Sequence, residues 1–168
     1  MTLIGDFDPE ARRLLLLGLE AAATLVSAAS LGRTEETASE GIAMAAHVLA
    51  SARDQIAHPL LMSIIGAVTD HAARGGAFPD YGKVVTAPGA RDRAADTVRS
   101  AVAIVDAGAT PDEAAAYRAW LLSIATAVAQ AGKEDQGFLG SGGVMVNDAE
   151  RAALAELAGM LGLEAPSV

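Results

Sequence analysis

Acidic side chains cluster around the second of two glycine-rich segments in this 168-residue chain. Glu134 and Asp135 precede the most glycine-rich part of the segment, and Asp148 follows it. Carboxylate oxygens are the ligands that calcium and magnesium ions prefer, although the spacing is not that of an EF-hand loop. Asn147 and Glu150 have the spacing of a helix-capping box. The sequence therefore predicts Glu134, Asp135 and Asp148 as candidate ligands of a divalent metal ion, and it suggests no other cofactor.

The same segment carries large apolar side chains, which a solvated loop rarely does. Phe138, Leu139 and Met145 surround a glycine-rich centre, and the other long connector contributes Phe78 and Tyr81. Such side chains either complete the core as a plug or form a lid over a ligand pocket or a partner-docking surface. On the second interpretation these five residues are the candidate contacts for a ligand or a protein partner.

Sequence motifs of the common catalytic sites are absent. Neither Gly82-Lys83 nor Gly132-Lys133 is followed by the Ser or Thr that a phosphate-binding loop requires. Ser141 lies among glycines without the preceding strand of a nucleophile elbow. The chain has no cysteine, and its three histidines lack both Glu-x-x-His and His-Glu-x-x-His spacing. The sequence therefore predicts a protein without enzymatic activity.

The overall charge restricts the classes of partner. The formal net charge is -9, whereas proteins that bind nucleic acid need clustered Lys and Arg to neutralise phosphates.

The most apolar stretch, residues 14–31, contains Glu20 and several small polar residues, so we expect no membrane span. Arg12-Arg13 resembles the start of a signal peptide, but acidic residues flank it. We therefore expect a cytoplasmic protein that binds no nucleic acid.

Capping residues and apolar periodicity predict six helices in a single domain covering residues 1–168. The chain is rich in alanine, which favours helix because it loses no side-chain entropy there. Predicted starts are Asp8-Pro9, Thr34, Pro59, Ala90, Thr110-Pro111 and Asn147. Predicted inward residues of the last three helices are Ala94, Val98, Ala101, Val105, Tyr117, Leu121, Ile124, Val128, Leu154, Leu157 and Leu161. Connectors at about 75–89 and 132–146 interrupt this compact all-α bundle.

The predicted second helix carries two separate stripes. Its apolar stripe consists of Ala38, Ile42, Ala45, Leu49, Ala52 and Ile56. Its polar stripe consists of Glu36, Glu40, His47 and Asp54. A charged stripe at helical spacing is usually a solvated face. The alternative interpretation makes the polar stripe an acid–base site.

The first and fifth predicted helices share a faint similarity at a constant offset of 102 positions. Pro9, Leu19 and Val26 fall on Pro111, Leu121 and Val128 under this offset. The similarity indicates either an internal duplication, which would give the fold pseudo-twofold halves, or the shared demands of two buried helices.

The last third of the chain resembles TerB-like tellurite-resistance proteins. The resemblance lies in the alanine-rich stretch 124–129 and in the segment from Val146 through Asn147-Asp148-Ala149-Glu150 to Leu161-Gly162-Leu163. This chain departs from the family in having Ala131-Gly132-Lys133 in place of an acidic Ala-Asp-Gly loop, and in the inserted segment 138–146. The Phe-Leu-Gly-x-Gly-Gly stretch at 138–143 is similar to that of uncharacterised bacterial helical proteins. The TerB-like resemblance implies a cytoplasmic, all-helical module associated with stress response at the membrane or in protein assemblies.

These features predict a non-enzymatic helical binding or assembly module that forms a homo-oligomer or binds a protein partner. The alternative is a bundle that binds a small ligand or a divalent metal ion in a pocket under the 75–89 and 132–146 connectors.

Overall fold

The computed structural model describes residues 1–29, 34–54, 58–74, 89–131 and 146–168, with the backbone alone for 34–40 and 53–54. These ranges contain six α-helices and a short 3-10 turn, Ile4–Asp6, and no strand. The helices are α1 (Pro9–Ser27), α2 (Thr34–Asp54), α3 (Pro59–Ala73), α4 (Ala90–Gly108), α5 (Pro111–Ala131) and α6 (Asp148–Leu161). The predicted all-α bundle of six helices is confirmed.

Local hydrogen bonds explain why helices begin where the sequence predicts. Asp8 Oδ1 accepts from the backbone N–H groups of Glu10 and Ala11, both at 2.9 Å. At α6, Asn147 and Glu150 form the predicted reciprocal capping box, with both bonds at 2.9 Å. Side-chain acceptors of this kind satisfy the N–H groups that have no partner in the first helical turn.

Glu113, in the first turn of α5, also forms a hydrogen bond with the backbone of Thr2. Glu113 Oε2 accepts from the N–H and the hydroxyl of Thr110, at 3.1 and 2.9 Å, and Oε1 accepts from the N–H of Thr2 at 3.0 Å. Burial alone raises the pKa of the Glu113 carboxyl, but the hydrogen bonds from Thr2 and Thr110 outweigh burial and lower it to about 2. The carboxylate thus links Thr2 to Thr110 through hydrogen bonds and stays ionised at neutral pH.

The core is built around α5, which contacts each of the other five helices, while α1 packs most extensively on α4. The inward residues predicted for α4, α5 and α6 are all buried: Ala94, Val98, Ala101, Val105, Tyr117, Leu121, Ile124, Val128, Leu154, Leu157 and Leu161. The periodicity argument is therefore confirmed for these three helices.

Helices α1 and α5 approach each other closely at Gly18. Tyr117 Oη donates a hydrogen bond of 2.8 Å to the Leu15 carbonyl oxygen, and both side chains are fully buried. A Cβ atom at position 18 would overlap the Tyr117 hydroxyl and lie 3.3 Å from the Cβ of Ala101. The absence of a side chain at Gly18 therefore lets Tyr117 reach the backbone of α1. Burial raises the pKa of Tyr117, so its hydroxyl keeps the proton that it donates.

The offset of 102 positions relates these same two helices. Helix α1 begins at Pro9 and α5 at Pro111, and the hydrogen-bonded residues Leu15 and Tyr117 are also 102 positions apart. Residues that are equivalent under a twofold axis touch each other where the axis passes between them. The Leu15–Tyr117 contact agrees with pseudo-twofold halves, and two similar buried helices would also make it. The duplication therefore stays a prediction.

The faces of α2 differ from the prediction. Its buried side chains are Met44, Val48 and Ser51. In contrast, Ile42 and Leu49 of the apolar stripe are 71% and 61% exposed. His47, on the stripe expected to be solvated, is half-buried against Ser123 of α5. The polar stripe is therefore partly buried at His47, because α2 packs on α5 through the side that carries this histidine.

The most apolar stretch of the sequence forms most of α1, which ends at Ser27. It contains Glu20, whose side chain is buried. Within the described ranges, no helix combines the length and the apolar character needed to cross a membrane.

Replacing Gly18 by Ala places a methyl group against the Tyr117 hydroxyl. We expect Gly18→Ala to lower the free energy of unfolding by about 1–3 kcal/mol, the usual cost of overpacking a core. Tyr117→Phe alone costs about 1 kcal/mol, because it removes one buried hydrogen bond. In the Tyr117→Phe background the overlap with the hydroxyl is gone and the 3.3 Å approach to the Ala101 Cβ remains, while Ala favours helix over Gly by about 1 kcal/mol, so Gly18→Ala should cost much less than it does in the parent chain. Urea denaturation of the four proteins measures this coupling, and additive effects would contradict a direct contact.

Glu113 makes the stability of the fold depend on pH in the acid range. Its pKa is about 2 in the folded chain, against an ordinary value of 4.5. The ionised carboxylate therefore stabilises the fold fully above pH 4.5, and this contribution is lost as the pH falls from 4.5 towards 2. Glu113→Gln lacks the contribution at every pH. Chemical denaturation should show a large deficit of the variant at pH 7 and a clearly smaller one at pH 3, whereas an equal deficit at both pH values would refute the assignment.

Candidate functional site

An open groove lies between α2, α5 and the chain that follows α6. Its volume is about 550 Å³, which lies within the range of small-molecule sites. Its described lining consists of His47, Ala119, Leu122, Ser123, Thr126, Ala127, Gln130, Leu163, Glu164 and Pro166. Apolar side chains thus form much of the groove, with a few polar groups between them.

His47 and Ser123 connect the two helices that border the groove. The Nε2 atom of His47 lies 2.9 Å from Ser123 Oγ, and the Ser123 hydroxyl donates its hydrogen to the Trp120 carbonyl oxygen at 2.8 Å. Because a hydroxyl has one hydrogen, His47 Nε2 must carry the N–H and donate to Ser123 Oγ. A serine nucleophile needs the opposite polarity, with the imidazole accepting the serine proton. The pair therefore holds α2 on α5 and is not arranged as a catalytic dyad.

The hydroxyl groups of the groove present acceptors rather than donors. Thr126 donates its hydroxyl hydrogen to the Leu122 carbonyl oxygen at 2.8 Å, in the same way that Ser123 donates to Trp120. Ser123 and Thr126 are one helical turn apart and so lie on the same side of α5. With their hydrogens on backbone carbonyls, both oxygens have lone pairs available to a ligand. Glu164 adds an exposed carboxylate on the segment after α6.

Most site residues predicted from the sequence belong to the two connectors. Seven of them lie outside the described residues: Phe78, Tyr81, Glu134, Asp135, Phe138, Leu139 and Met145. Asp148 is described, and its fully exposed carboxylate pairs with Arg151 at 2.6 Å. In the part of the chain that the structure describes, no three His, Asp or Glu side chains converge to hold a metal ion. The metal site and the plug-or-lid segment stay predictions.

The acid–base stripe of α2 is described at one position only. The side chains of Glu36, Glu40 and Asp54 lie outside the description. His47 faces Ser123 on α5. This polar contact joins His47 to a residue of another helix that is 76 positions away in the sequence.

No sequence pattern predicts the groove as a whole. It combines one residue of α2, one side of α5 and three residues near positions 163–166. The one local signal is a polar line on an otherwise apolar helix, formed by Ser123, Thr126 and Gln130 at helical spacing. Sequence alone does not indicate which helix that line will meet.

Comparisons of the chain with protein-family models, with curated proteins and with solved structures found no match. The TerB-like resemblance therefore stays a prediction.

The polarity of the His47–Ser123 contact predicts an unreactive serine. We expect a fluorophosphonate probe, which labels activated serines, to leave Ser123 unmodified, because its proton is held by a backbone carbonyl and not by the imidazole. Mass spectrometry of the digested protein measures the labelling, with a serine hydrolase as the positive control. Stoichiometric modification of Ser123 would show that the hydrogen bonds run in the opposite direction.

Proposed function

We propose that this protein is a non-enzymatic assembly module that forms a homodimer through the outer stripe of α2, defined by Ile42, Ala45 and Leu49. The observation that carries the proposal is the exposure of Ile42 and Leu49, at 71% and 61%. They are seven positions apart, so they lie on one side of the helix, two turns apart. Burying one such side chain stabilises an interface by about 1.5–3 kcal/mol. Apolar surface of this kind is typical of protein–protein contacts.

The spacing of the apolar residues favours an identical helix as the partner. Large residues recur every seven positions, at Ile42, Leu49 and Ile56 in the sequence. Ala45 and Ala52 fall between them, and Ala38 precedes Ile42. The resulting alternation of four and three residues is the spacing of a coiled-coil seam. Large side chains of one copy then fit over the alanines of the other, which is the self-complementarity that a twofold interface requires.

Charge and size favour an antiparallel pair of α2 helices. Glu35 lies seven positions before Ile42, in the first turn of α2, and Arg53 lies four positions after Leu49, in the last turn, so helical spacing puts both positions on the side of the outer stripe. A parallel pair brings the two copies of Glu35 together, whereas an antiparallel pair brings Glu35 towards Arg53 of the other copy and aligns the helix dipoles favourably. Open space surrounds the Cα of Gly41, beside Ile42, so a second backbone can approach there. These features support an antiparallel contact centred between Ile42 and Leu49.

We propose a cytoplasmic setting for this module. The absence of cysteine fits a cytoplasmic location, and the TerB-like resemblance suggests association with stress response. The net charge of -9 supports a protein partner over nucleic acid.

Charge substitutions on the outer stripe test the proposed dimer. Ile42→Glu and Leu49→Glu each place two like charges in a twofold interface, so we expect either variant to be monomeric at concentrations where the parent chain is dimeric. Both side chains are exposed, so the thermal unfolding temperature of the monomer should change little. Light scattering coupled to size-exclusion chromatography, over a hundredfold range of concentration, measures the mass.

Ala103→Glu is the matched control, because Ala103 is an exposed apolar residue on α4 and the substitution adds the same charge. This control should remain dimeric. A parent chain that is monomeric throughout the range, or a dimer that survives both α2 substitutions, would contradict the proposal.

A further inference from the structure

The groove between α2, α5 and the segment after α6 offers hydrogen-bond acceptors on an apolar surface. Ser123 Oγ and Thr126 Oγ1 have both donated their hydrogens to carbonyl oxygens of α5, at 2.8 Å each. His47 occupies one lone pair of Ser123 Oγ, which leaves one available, while both lone pairs of Thr126 Oγ1 remain. A ligand that meets these two oxygens must therefore bring its own N–H or O–H donors.

The charges around the groove favour a cation. Glu164 supplies a carboxylate at the exposed edge of the groove, and the described lining contains no Lys or Arg. The chain as a whole carries a net charge of -9, which raises the local concentration of small cations. An anionic ligand would meet the carboxylate of Glu164 and the lone pairs of the two hydroxyl oxygens.

The remaining surface requires an apolar body on the ligand. This surface is apolar because it is formed by Leu122 and Ala119 of α5 and by Leu163 and Pro166 of the segment after α6. Leu163 also packs partly against the core, which fixes that wall of the groove. Apolar walls with a few placed polar groups are the usual composition of a small-molecule site.

We propose that this groove binds a small organic cation, a primary ammonium group carried on an aryl or alkyl body. The ammonium group has three N–H donors and no acceptor, which matches the lone pairs of Ser123 and Thr126 and the carboxylate of Glu164. The apolar body lies against Leu122, Leu163 and Pro166. The described lining residues belong to one chain and lie off the outer stripe of α2, so binding does not depend on the α2 homodimer and should be the same for Ile42→Glu.

Three ligands with one phenylethyl body and different head groups test the charge preference: 2-phenylethylammonium, 2-phenylethanol and 3-phenylpropanoate. We expect 2-phenylethylammonium to bind with a dissociation constant on the order of 1 mM, a reasonable affinity for a ligand of this size. The alcohol should bind several-fold more weakly, and the carboxylate should not bind in the same range. Titration of ¹⁵N-labelled protein, followed by NMR, reports affinity and location together, because the amides of Ser123 and Thr126 should shift.

Two substitutions test the residues that receive the ammonium group. Thr126→Val keeps the shape and removes the acceptor, and should weaken binding about 3–10-fold, which is the worth of one hydrogen bond. Glu164→Gln removes the charge, and should weaken binding about 2–5-fold, as expected for an exposed ion pair. Asp92→Asn, which removes an exposed carboxylate of α4 outside the groove lining, is the control and should leave binding unchanged. Equal binding of all three ligands, shifts confined to residues outside the groove, or unchanged affinity in both groove variants would overturn the proposal.

Discussion

The hydrogen bond from Tyr117 to the Leu15 carbonyl oxygen fixes how α1 and α5 lie against each other, and the other helices are arranged around that contact. A buried hydroxyl needs a partner, because leaving it unpaired costs more than the bond itself contributes. Gly18 provides the space that lets the hydroxyl reach this partner. With Tyr117, Leu121, Ile124 and Val128 of α5 committed to the core, the side of α5 that carries Ser123 and Thr126 is left for α2 and the groove.

Much of the fold could be predicted from the sequence because helix ends and inner faces are local properties. Asp8, Asn147 and Glu150 satisfy N–H groups within three residues of themselves, so their spacing alone predicts a helix start. The contact of Tyr117 with Leu15 joins residues 102 positions apart, and no local pattern predicts it. The groove could not be predicted for the same reason, because its lining comes from α2, α5 and the segment after α6, which are far apart in the sequence.

The outer stripe of α2 illustrates a different limit of sequence patterns. A stripe such as Ile42, Ala45 and Leu49 predicts that a surface will be buried, because exposed apolar area is costly in water. It does not say whether the covering surface belongs to the same chain. Here the chain's own core is reached by Met44 and Val48 instead. The exposed apolar stripe on the side away from the core is the observation on which the proposed dimer rests.

The acidity of the chain acts on the two proposed contacts in opposite directions. Two copies with a net charge of -9 each repel one another, so burial of Ile42 and Leu49 has to overcome a long-range repulsion that salt screens. The same field attracts a small cation to Glu164 and to the lone pairs of the groove, and salt weakens that attraction. Rising ionic strength therefore favours self-association and disfavours the ammonium ligand. Because the proposed dimer contact lies on one side of α2 and His47 on the other, both proposals involve this one helix, and their opposite responses to salt distinguish them.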